Sequence, residues 1–573
     1  MRHDAVLARR AISGKMWRTL NSDAAAILSS SGMKTALVES DAPGAGRSGA
    51  GRLAGAGVFA GLTAIALVLF VAGSAIEGVG LRVFSDPMGW LAGLDQSTAI
   101  GLLTASAQVV AGLLAIAITV SAIVVELAAT RYNHRITQLF VYEPINVTVW
   151  SLYVVTTIVC MWVASTRDGE AVAQVPNAAF AIAMLLVTVC LLLLLPYFVF
   201  VFAFLSPLSV IEKVKGRAYR FIQRAITTPN DSVRHRVQDA IDELQDVARS
   251  ASEESDRGIA MACVNALKDL VVDYQATRER LPPAWYSVAG CVAEDADFVS
   301  MAGSVLENVE KDRLWLEVKV FRQYHSLMLQ CVPDAREVAN LIAINTARIG
   351  TEHGQANPAL LALCIRSFNN YLRSSINAGD ARTCYYVMNE YRLLAEALMA
   401  QNLNGAVKEI ALHFKFYGQT AHQRGLSFLL QMAADDLTSL VEASLAHGNA
   451  ALTDDLLAVV LDVDQEIRSE TQEQSLLGVR KAQLKLATLF AVRGDEARAR
   501  RICRDLAGEQ LRRLDRLRRE LENETNAQYW EFTDRGSNFG YLPPDQRALL
   551  GTLLEWTKAY GADGATAARP DTL

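Results

Sequence analysis

Four charged or titratable residues follow a long apolar stretch that ends near residue 125, and they are the best candidates in the sequence for a proton or ion site. Residues 121–136 read SAIVVELAATRYNHRI, in which a carboxylate, two guanidinium groups and an imidazole fall within ten residues. A carboxylate and an imidazole can form a proton or ion site, whereas arginines at a membrane boundary extend toward the headgroups. These charged residues are Glu126, Arg131, His134 and Arg135.

Two interpretations of this stretch remain open. On a continuing helix, Glu126 lies near Thr130 and Arg131 lies near Arg135, because residues four apart are neighbours. The stretch is then either a polar helix end satisfied by water or a charged vestibule that lines a pore or a subunit interface. In the vestibule interpretation, polar residues of the preceding apolar segment line the same pore or interface. The pore or vestibule candidates are Thr104, Ser106, Gln108, Thr119, Ser121, Glu126, Arg131, His134 and Arg135.

Four apolar segments are long enough to position these residues in a membrane. A helix needs about 20 apolar residues to cross the hydrocarbon core, and the segments at about 54–76, 98–125, 146–165 and 176–206 satisfy this requirement. The chain of 573 residues is 51% hydrophobic and has a mean hydropathy of +0.18, which indicates that part of it lies in lipid. The sequence therefore predicts a transmembrane domain of four helices over residues 53–208.

Basic residues in the flanks of these segments predict their orientation. Residues 1–52 carry eight Lys or Arg, the loop 77–97 carries one, and five follow the fourth segment between positions 213 and 224. Because Lys and Arg concentrate in cytoplasmic loops, we expect a multi-pass protein of the bacterial inner membrane with both termini in the cytoplasm. Residues 1–52 are expected to form a disordered or interfacial arm. They are too long for the n-region of a signal peptide, and Met16 and Met33 are alternative starts.

Small residues in the first two apolar segments predict close helix packing. Ala107, Ala111 and Ala115 recur every four residues, and Gly57 and Gly61 form a GxxxG pattern. Lipid provides no hydrophobic drive for association between helices, but small side chains allow close contact between backbones. We therefore expect these residues to pack against protein.

A large cytoplasmic helical domain is predicted over residues 209–560. Apolar residues recur there at three- and four-residue spacing, and the alternation typical of strands is missing, so the fold is predicted to be all-α. Gly379, Gly448 and Gly494 each separate two amphipathic segments, and we expect left-handed conformations or tight helix ends at these joints. The joints are unevenly spaced, which favours an irregular solenoid or bundle. Residues 561–573 are expected to be a disordered tail.

One stretch near the C-terminus departs from the helical period. Residues 529–544 read YWEFTDRGSNFGYLPP, which combines aromatic residues, charges and two prolines. The stretch is either a structured loop that covers the last core layer or a recognition loop for a partner. In the second interpretation Asp534, Arg535 and Asn538 are the candidate residues.

The sequence contains no recognised catalytic or metal-binding motif. The eight histidines form no H-x-x-x-H pair, the eight cysteines form no C-x-x-C pair, and Walker A, G-x-S-x-G and protein-kinase motifs are missing. We expect no catalytic activity, cofactor or metal, although an active site could still assemble from distant residues. The net charge of −6 argues against a nucleic-acid partner, which would require clustered positive charge.

The second apolar segment carries a resemblance to a known family. The stretch 102–136 reads LLTASAQVVAGLLAIAITVSAIVVELAATRYNHRI and resembles the core of the bacterial predicted-membrane-protein family of domain of unknown function 2254. The shared features are a Ser/Thr/Ala-rich span, a run of small residues at its end and a basic residue after it. Residues 244–270 resemble the segment after the membrane, but Ser-Glu-Glu-Ser-Asp stands where the family favours a proline-containing turn. The resemblance implies four spans and a cytoplasmic helical region, and it implies no particular activity.

Two functional hypotheses follow. The first is an oligomeric channel-like or transport protein in which the second span lines the axis and the cytoplasmic domain is regulatory. The alternative is a membrane-anchored scaffold or sensor whose helical solenoid binds a partner protein. The lipid bilayer and further copies of the chain are the expected partners, together with a protein partner in the alternative. An exposed apolar groove in the solenoid would favour the alternative.

Overall fold

The computed structural model describes residues 96–131, 144–165, 177–204, 207–331, 335–464, 473–528, 535 and 538–567. All regular structure in these ranges is helical, which confirms the predicted all-α fold. The first predicted span at 54–76, with Gly57 and Gly61, lies outside the described residues.

Three described helices are long and apolar enough to cross a membrane. They are α1 (Gln96–Arg131), α2 (Pro144–Ser165) and α3 (Asn177–Phe204). Their apolar portions contain 30, 22 and 24 residues, and a helix of 22 residues is about 33 Å long. These helices coincide with the second, third and fourth predicted segments. Helix α1 continues past Glu126, and its described part ends at Arg131.

Polar contacts link the two apolar helices α2 and α3. The hydroxyl of Tyr153, which is fully buried, donates a hydrogen bond to the carbonyl oxygen of Cys190 at 2.7 Å. The thiol of Cys190 donates to the hydroxyl oxygen of Thr156 at 3.3 Å. Such bonds help to hold helices together in a medium that offers no competing water. Pro196 lies inside α3, and the helix continues past it to Phe204.

Contacts between Cα atoms divide the chain into two compact units. As far as the structure describes them, the first comprises residues 96–111 and 152–197, and the second comprises residues 112–151 and 198–567. The second unit contains the whole helical domain that follows α3.

The helical domain begins at Pro207. Its helices are α4 (Pro207–Ala225), α5 (Asp231–Glu253), α6 (Arg257–Thr277), α7 (Gly303–Asp312), α8 (Trp315–Cys331), α9 (Arg336–His353), α10 (Pro358–Asn377), α11 (Ala381–Ala400), α12 (Asn404–Gln423), α13 (Ser427–Ala446), α14 (Ala450–Asp462), α15 (Glu473–Val492), α16 (Glu496–Asp505), α17 (Leu511–Asn523), α18 (Pro544–Arg547) and α19 (Leu550–Ala567). Short 3₁₀ turns at Arg278–Arg280 and Pro283–Tyr286 follow α6.

Helices α8 to α15 stack in two layers. The first layer contains α8, α10, α12 and α14, and the second layer contains α9, α11, α13 and α15. Each helix from α8 to α13 packs against the next in sequence, and each packs against its neighbour in the same layer. This arrangement of stacked hairpins is typical of an α-solenoid, whose surfaces are extended and suited to binding. Helices α16 to α19 pack at the end formed by α15.

Glycines in the left-handed conformation end several of these helices. Gly379, Gly448 and Gly494 have φ angles of 71°, 71° and 78°, which confirms the predicted joints. The residue after each glycine caps the next helix; for example, the side chain of Asn449 accepts a hydrogen bond from the backbone of Leu452 at 3.1 Å. The sequence therefore determines these helix ends through local backbone chemistry.

Gly448→Val is expected to lower the free energy of unfolding by about 1 kcal/mol or more, because a β-branched residue is strained at positive φ. No atom lies within 4 Å of the position of an added Cβ, so the effect comes from the backbone alone. Urea denaturation of the purified protein measures it. Gly448→Asn serves as the control, since Asn tolerates this conformation, and equal stability of the Val variant and the wild type would contradict the prediction.

Candidate functional site

The predicted pore candidates divide between two faces of α1. The exposed ones are Thr104, Gln108, Thr119 and Glu126, which fall on one face at 100° per residue. Ser106 is half-buried and Ser121 is buried, so these two do not share that face. The side chain of Arg131 and all of His134 and Arg135 lie outside the described residues. The exposed polar face is therefore shorter than the sequence predicts.

The alanine row of α1 lies mostly on the same exposed face. Ala111 and Ala115 are exposed, and Thr119 continues the row with its hydroxyl donating to the carbonyl oxygen of Ala115 at 2.8 Å. The buried residues of α1 are Ala99, Leu103, Ala107, Val110, Ala117 and Ser121. Packing of Ala111 and Ala115 against protein remains a prediction that requires the first predicted span or another copy of the chain.

Lys319 in α8 lies at the centre of three carboxylates. Its ammonium nitrogen is 2.7 Å from Asp242, 2.8 Å from Asp295 and 2.9 Å from Asp297, and its side chain is 1% exposed. Gln323 donates hydrogen bonds to Asp242 and Asp297. Burial raises the pKa of Asp242 to about 6 despite the opposing charge of Lys319. Burial alone would lower the pKa of Lys319, but the carboxylates outweigh it and raise that pKa.

This cluster holds an irregular segment against two helices. Asp242 belongs to α5 and Lys319 to α8, whereas Asp295 and Asp297 belong to the segment between the turn Pro283–Tyr286 and α7. The ammonium group occupies the point at which the three carboxylates converge. The cluster therefore stabilises the fold, and all three of its carboxylates are bound to Lys319.

Glu317 is a second buried acid in α8. Its Oε1 accepts a hydrogen bond from the side chain of Gln275 at 2.7 Å, and its Oε2 has no hydrogen-bond partner in the described part of the chain. Burial raises the pKa of Glu317 to about 7, although the bond from Gln275 lowers it. The ionised form of Glu317 is therefore disfavoured in the folded state.

The Glu317→Gln variant is expected to show a weaker dependence of stability on pH. The folded-state pKa of about 7 lies above the usual value of about 4.3 for Glu, so the native protein binds the proton more tightly between these values. This group therefore stabilises the fold increasingly as pH falls from 8 towards 5. Thermal unfolding at several pH values measures the effect, with the half-exposed Glu352→Gln as control. Identical pH slopes for wild type and Glu317→Gln would contradict the assignment.

Arg535 anchors the C-terminal loop to the second layer. Its Nη1 donates to Asp436 at 2.5 Å, and its Nη2 donates to the carbonyl oxygen of Tyr385 at 2.8 Å. The guanidinium group also lies 4.4 Å from the centroid of the Tyr385 ring, and the side chain is 4% exposed. Arg392 pairs with the same carboxylate of Asp436 at 3.3 Å. Burial raises the pKa of Asp436, against the two arginines.

Asn538 also faces the interior. Its side chain donates to the carbonyl oxygen of Asn526 and accepts from the backbone of Gly540, both at 2.9 Å. Lys485 of α15 donates to the carbonyl oxygen of Phe539 at 3.0 Å. The side chains of Arg535 and Asn538 are therefore bonded within the chain, and Asp534 lies outside the described residues.

An open groove lies on the first layer between α10 and α12. It encloses about 540 Å³. The residues that line it include Arg366, Asn369, Asn370, Arg373, His413 and Phe416. The four from α10 recur at three- and four-residue spacing, so that they share one face of that helix. No sequence motif predicts this groove.

The two arginines of this groove have no acidic partner among the residues that the structure describes. Arg366 donates from Nε to the carbonyl oxygen of Ala362 in its own helix, and neither Arg366 nor Arg373 forms an ion pair with a described carboxylate. The ring of His413 is held by Asn369 at 3.2 Å and by the hydroxyl of Tyr391 at 3.0 Å. Burial lowers the pKa of His413, so its ring stays neutral at pH 7. The positive charge of the groove comes from the arginines.

A second concavity adjoins the groove across α12. It encloses about 700 Å³ between α12, α14 and α16. Leu412 lines this concavity and Phe416 lines the groove, and these two apolar residues lie one turn apart on α12 with 48% and 51% exposure. Helix α12 therefore presents an apolar ridge, Leu412 and Phe416, between two concave surfaces.

Comparison with a family model agrees with the structure that the chain is a helical membrane protein. The three apolar helices and the helical domain define a helical membrane protein. Residues 54–273 match the family model described as Predicted membrane protein (DUF2254), which confirms the resemblance carried by the stretch 102–136. The match ends within α6, so the solenoid layers lie beyond it.

No curated protein matches the chain. Among solved structures, one described as a circular tandem repeat protein with novel repeat topology and enhanced subunit contact surfaces is similar over 82% of this chain and 97% of its own. The identity is 13% and the TM-score is 0.29, a level of similarity that carries no argument about this protein.

Proposed function

We propose that this membrane protein is a membrane-anchored scaffold whose helical domain binds a partner protein on its first layer. The observation that carries the proposal is the apolar ridge of Leu412 and Phe416 between two concave surfaces. Full burial of such a side chain contributes about 1.5–3 kcal/mol, and half of each side chain is still available to a partner. The two adjacent concavities extend the surface that a partner can contact beyond the ridge itself.

Co-purification of the full-length protein from its native membranes tests this function. Phe416→Ser removes the larger apolar side chain of the ridge, and Leu393→Ser is a matched control, because Leu393 is 41% exposed on α11 in the second layer. We expect one protein to co-purify in stoichiometric amount with the wild type and the control and to be lost with Phe416→Ser. The same co-purifying proteins for all three, or none in stoichiometric amount, would contradict the proposal.

The proposed scaffold faces the cytoplasm. Five basic residues between positions 213 and 224 follow the last apolar helix, and basic flanks are retained on the cytoplasmic side. We expect reporter fusions at residues 86 and 170 to lie outside the cytoplasm and a fusion at the C-terminus to lie inside it. A C-terminal fusion outside the cytoplasm would refute the cytoplasmic placement of the helical domain.

The exposed face of α1 favours a second candidate, an oligomeric channel-like protein. Thr104 and Gln108 lie on this face, and polar side chains inside a membrane usually face protein or a water-filled cavity. Another copy of the chain would cover this face. In a planar bilayer, Glu126→Gln is then expected to change the cation preference of the conductance. A monomer without conductance would exclude this candidate and leave the scaffold unaffected.

A further inference from the structure

We infer that the groove between α10 and α12 binds an acidic segment of the partner protein, with two carboxylates held by Arg366 and Arg373. This inference rests on the proposed scaffold function and specifies the chemistry of its ligand. It rests on the positions of the two arginines and on the charge of the domain around them.

The spacing of the arginines selects an extended segment. Arg366 and Arg373 are seven residues apart on α10, which places them on the same face at a rise of about 10.5 Å. In the extended polyproline II conformation, residues three apart point in the same direction and are separated by about 9 Å. A segment in which two acidic residues flank two others therefore presents both carboxylates on one side, at nearly the rise between Arg366 and Arg373. Each arginine can bind a carboxylate through two parallel hydrogen bonds.

The residues between the arginines suit a peptide backbone. Asn370 is exposed between Arg366 and Arg373, and a side-chain amide can both donate to and accept from the backbone of an extended chain. Phe416 lies at the opposite wall on α12 and offers an apolar contact for an intervening side chain. This combination of amide, aromatic ring and concave shape favours a protein segment over a lipid surface.

The charge of the domain makes the groove selective. Residues 207–573 carry 43 Lys or Arg and 50 Asp or Glu, so that the domain as a whole repels an acidic segment. Several other arginines of the solenoid pair with carboxylates, as Arg392 does with Glu396 and Asp436. The unpaired arginines of the groove therefore direct an acidic segment to this site.

Binding of a labelled peptide to the full chain in nanodiscs of zwitterionic lipid tests the inference. The probe is an extended peptide with two glutamates three residues apart and a leucine between them, and fluorescence anisotropy reports binding. We expect the double variant Arg366→Gln and Arg373→Gln to weaken binding about tenfold or more, since two charge-assisted pairs are lost. The charge-matched control, Arg348→Gln with Arg424→Gln, removes two other exposed arginines and should bind within about twofold of wild type.

Three results would overturn the inference: no binding of the glutamate peptide, equal binding of a peptide with glutamines in place of the glutamates, or equal loss in both double variants. Binding of vesicles with anionic lipid through Arg366 and Arg373, without binding of the peptide, would assign the groove to a membrane surface instead. Both arginines are exposed and form no ion pair with a described residue, so circular dichroism and thermal unfolding of the double variant should match wild type.

Failure of this inference can be told apart from failure of the scaffold function. If the native partner is lost with Phe416→Ser but retained with Arg366→Gln and Arg373→Gln, the scaffold stands and the acidic ligand is wrong. If the partner is retained with Phe416→Ser, the scaffold function itself fails, and the peptide titration still decides the chemistry of the groove.

Discussion

Lys319→Met is expected to lower the free energy of unfolding by about 3–5 kcal/mol, because it leaves three carboxylates together without their cation. The side chain of Lys319 is 1% exposed and that of Asp295 is 9% exposed, so water has little access to the position of the ammonium group, although Asp242 is 40% exposed. The segment that carries Asp295 and Asp297 should also detach from α8. Chemical denaturation measures the loss of stability, and hydrogen exchange measures the release of the segment.

The pH dependence of this variant provides an internal check. Asp242, whose pKa is about 6, is neutral at pH 5, which reduces the repulsion between the carboxylates. The destabilisation by Lys319→Met should therefore be smaller at pH 5 than at pH 8. The control Lys558→Met removes a half-exposed lysine from a surface pair with Glu555 and should change stability by less than about 1 kcal/mol. Equal stability of the Lys319 and Lys558 variants would refute the structural role of the cluster.

Arg535→Met is expected to cost about 3 kcal/mol and to expose the C-terminal loop to proteolysis. The substitution leaves Asp436, which is buried, with Arg392 as its remaining arginine, and an incompletely paired buried carboxylate is strongly destabilising. It also removes the hydrogen bond to Tyr385. Urea denaturation and limited trypsin digestion measure the two effects.

A second substitution identifies the cause of this loss. Asp436→Asn in the Arg535→Met background removes the buried charge and should restore part of the stability. Arg518→Met is the surface control, because Arg518 pairs with Glu522 in solvent. Equal destabilisation by Arg518→Met and Arg535→Met, or no rescue by Asp436→Asn, would contradict the anchoring role of Arg535.

Helix ends and membrane segments were predictable because their causes are local. Gly448 ends a helix through its own backbone freedom, and Asn449 caps the next helix three residues away. The role of Arg535 depends on Asp436, which is 99 residues away in sequence. The sequence shows that Arg535 lies in an irregular loop, but it cannot show which buried acid the folded chain brings to it.

The groove could have been found in part from the sequence. Arg366 and Arg373 have only apolar or amide residues three and four positions away, whereas Arg516 has Glu520 at helical spacing and pairs with it. An arginine pair on one helix face without an acid at helical spacing is therefore a usable signal. The position of Phe416 on the facing helix is a consequence of tertiary packing, which no local pattern specifies.

The burial of α1 also depends on tertiary packing as well as on its own sequence. The recurrence of small residues identifies a face that can pack closely, and Ala107 is buried as expected. The adjacent face with Leu103 and Val110 is buried as well, while Ala111 is exposed. Which face of an apolar helix is covered depends on its neighbours, and both faces of α1 are apolar enough to be covered.

Site-specific photocross-linking tests the scaffold function most directly. A photoreactive phenylalanine analogue at position 416 samples the apolar ridge in native membranes, and the same analogue at position 393 samples the second layer. We predict one discrete cross-linked partner from position 416 that is missing from position 393. Equal cross-linking from both positions, or none from position 416, would contradict the proposal that the first layer binds a partner protein.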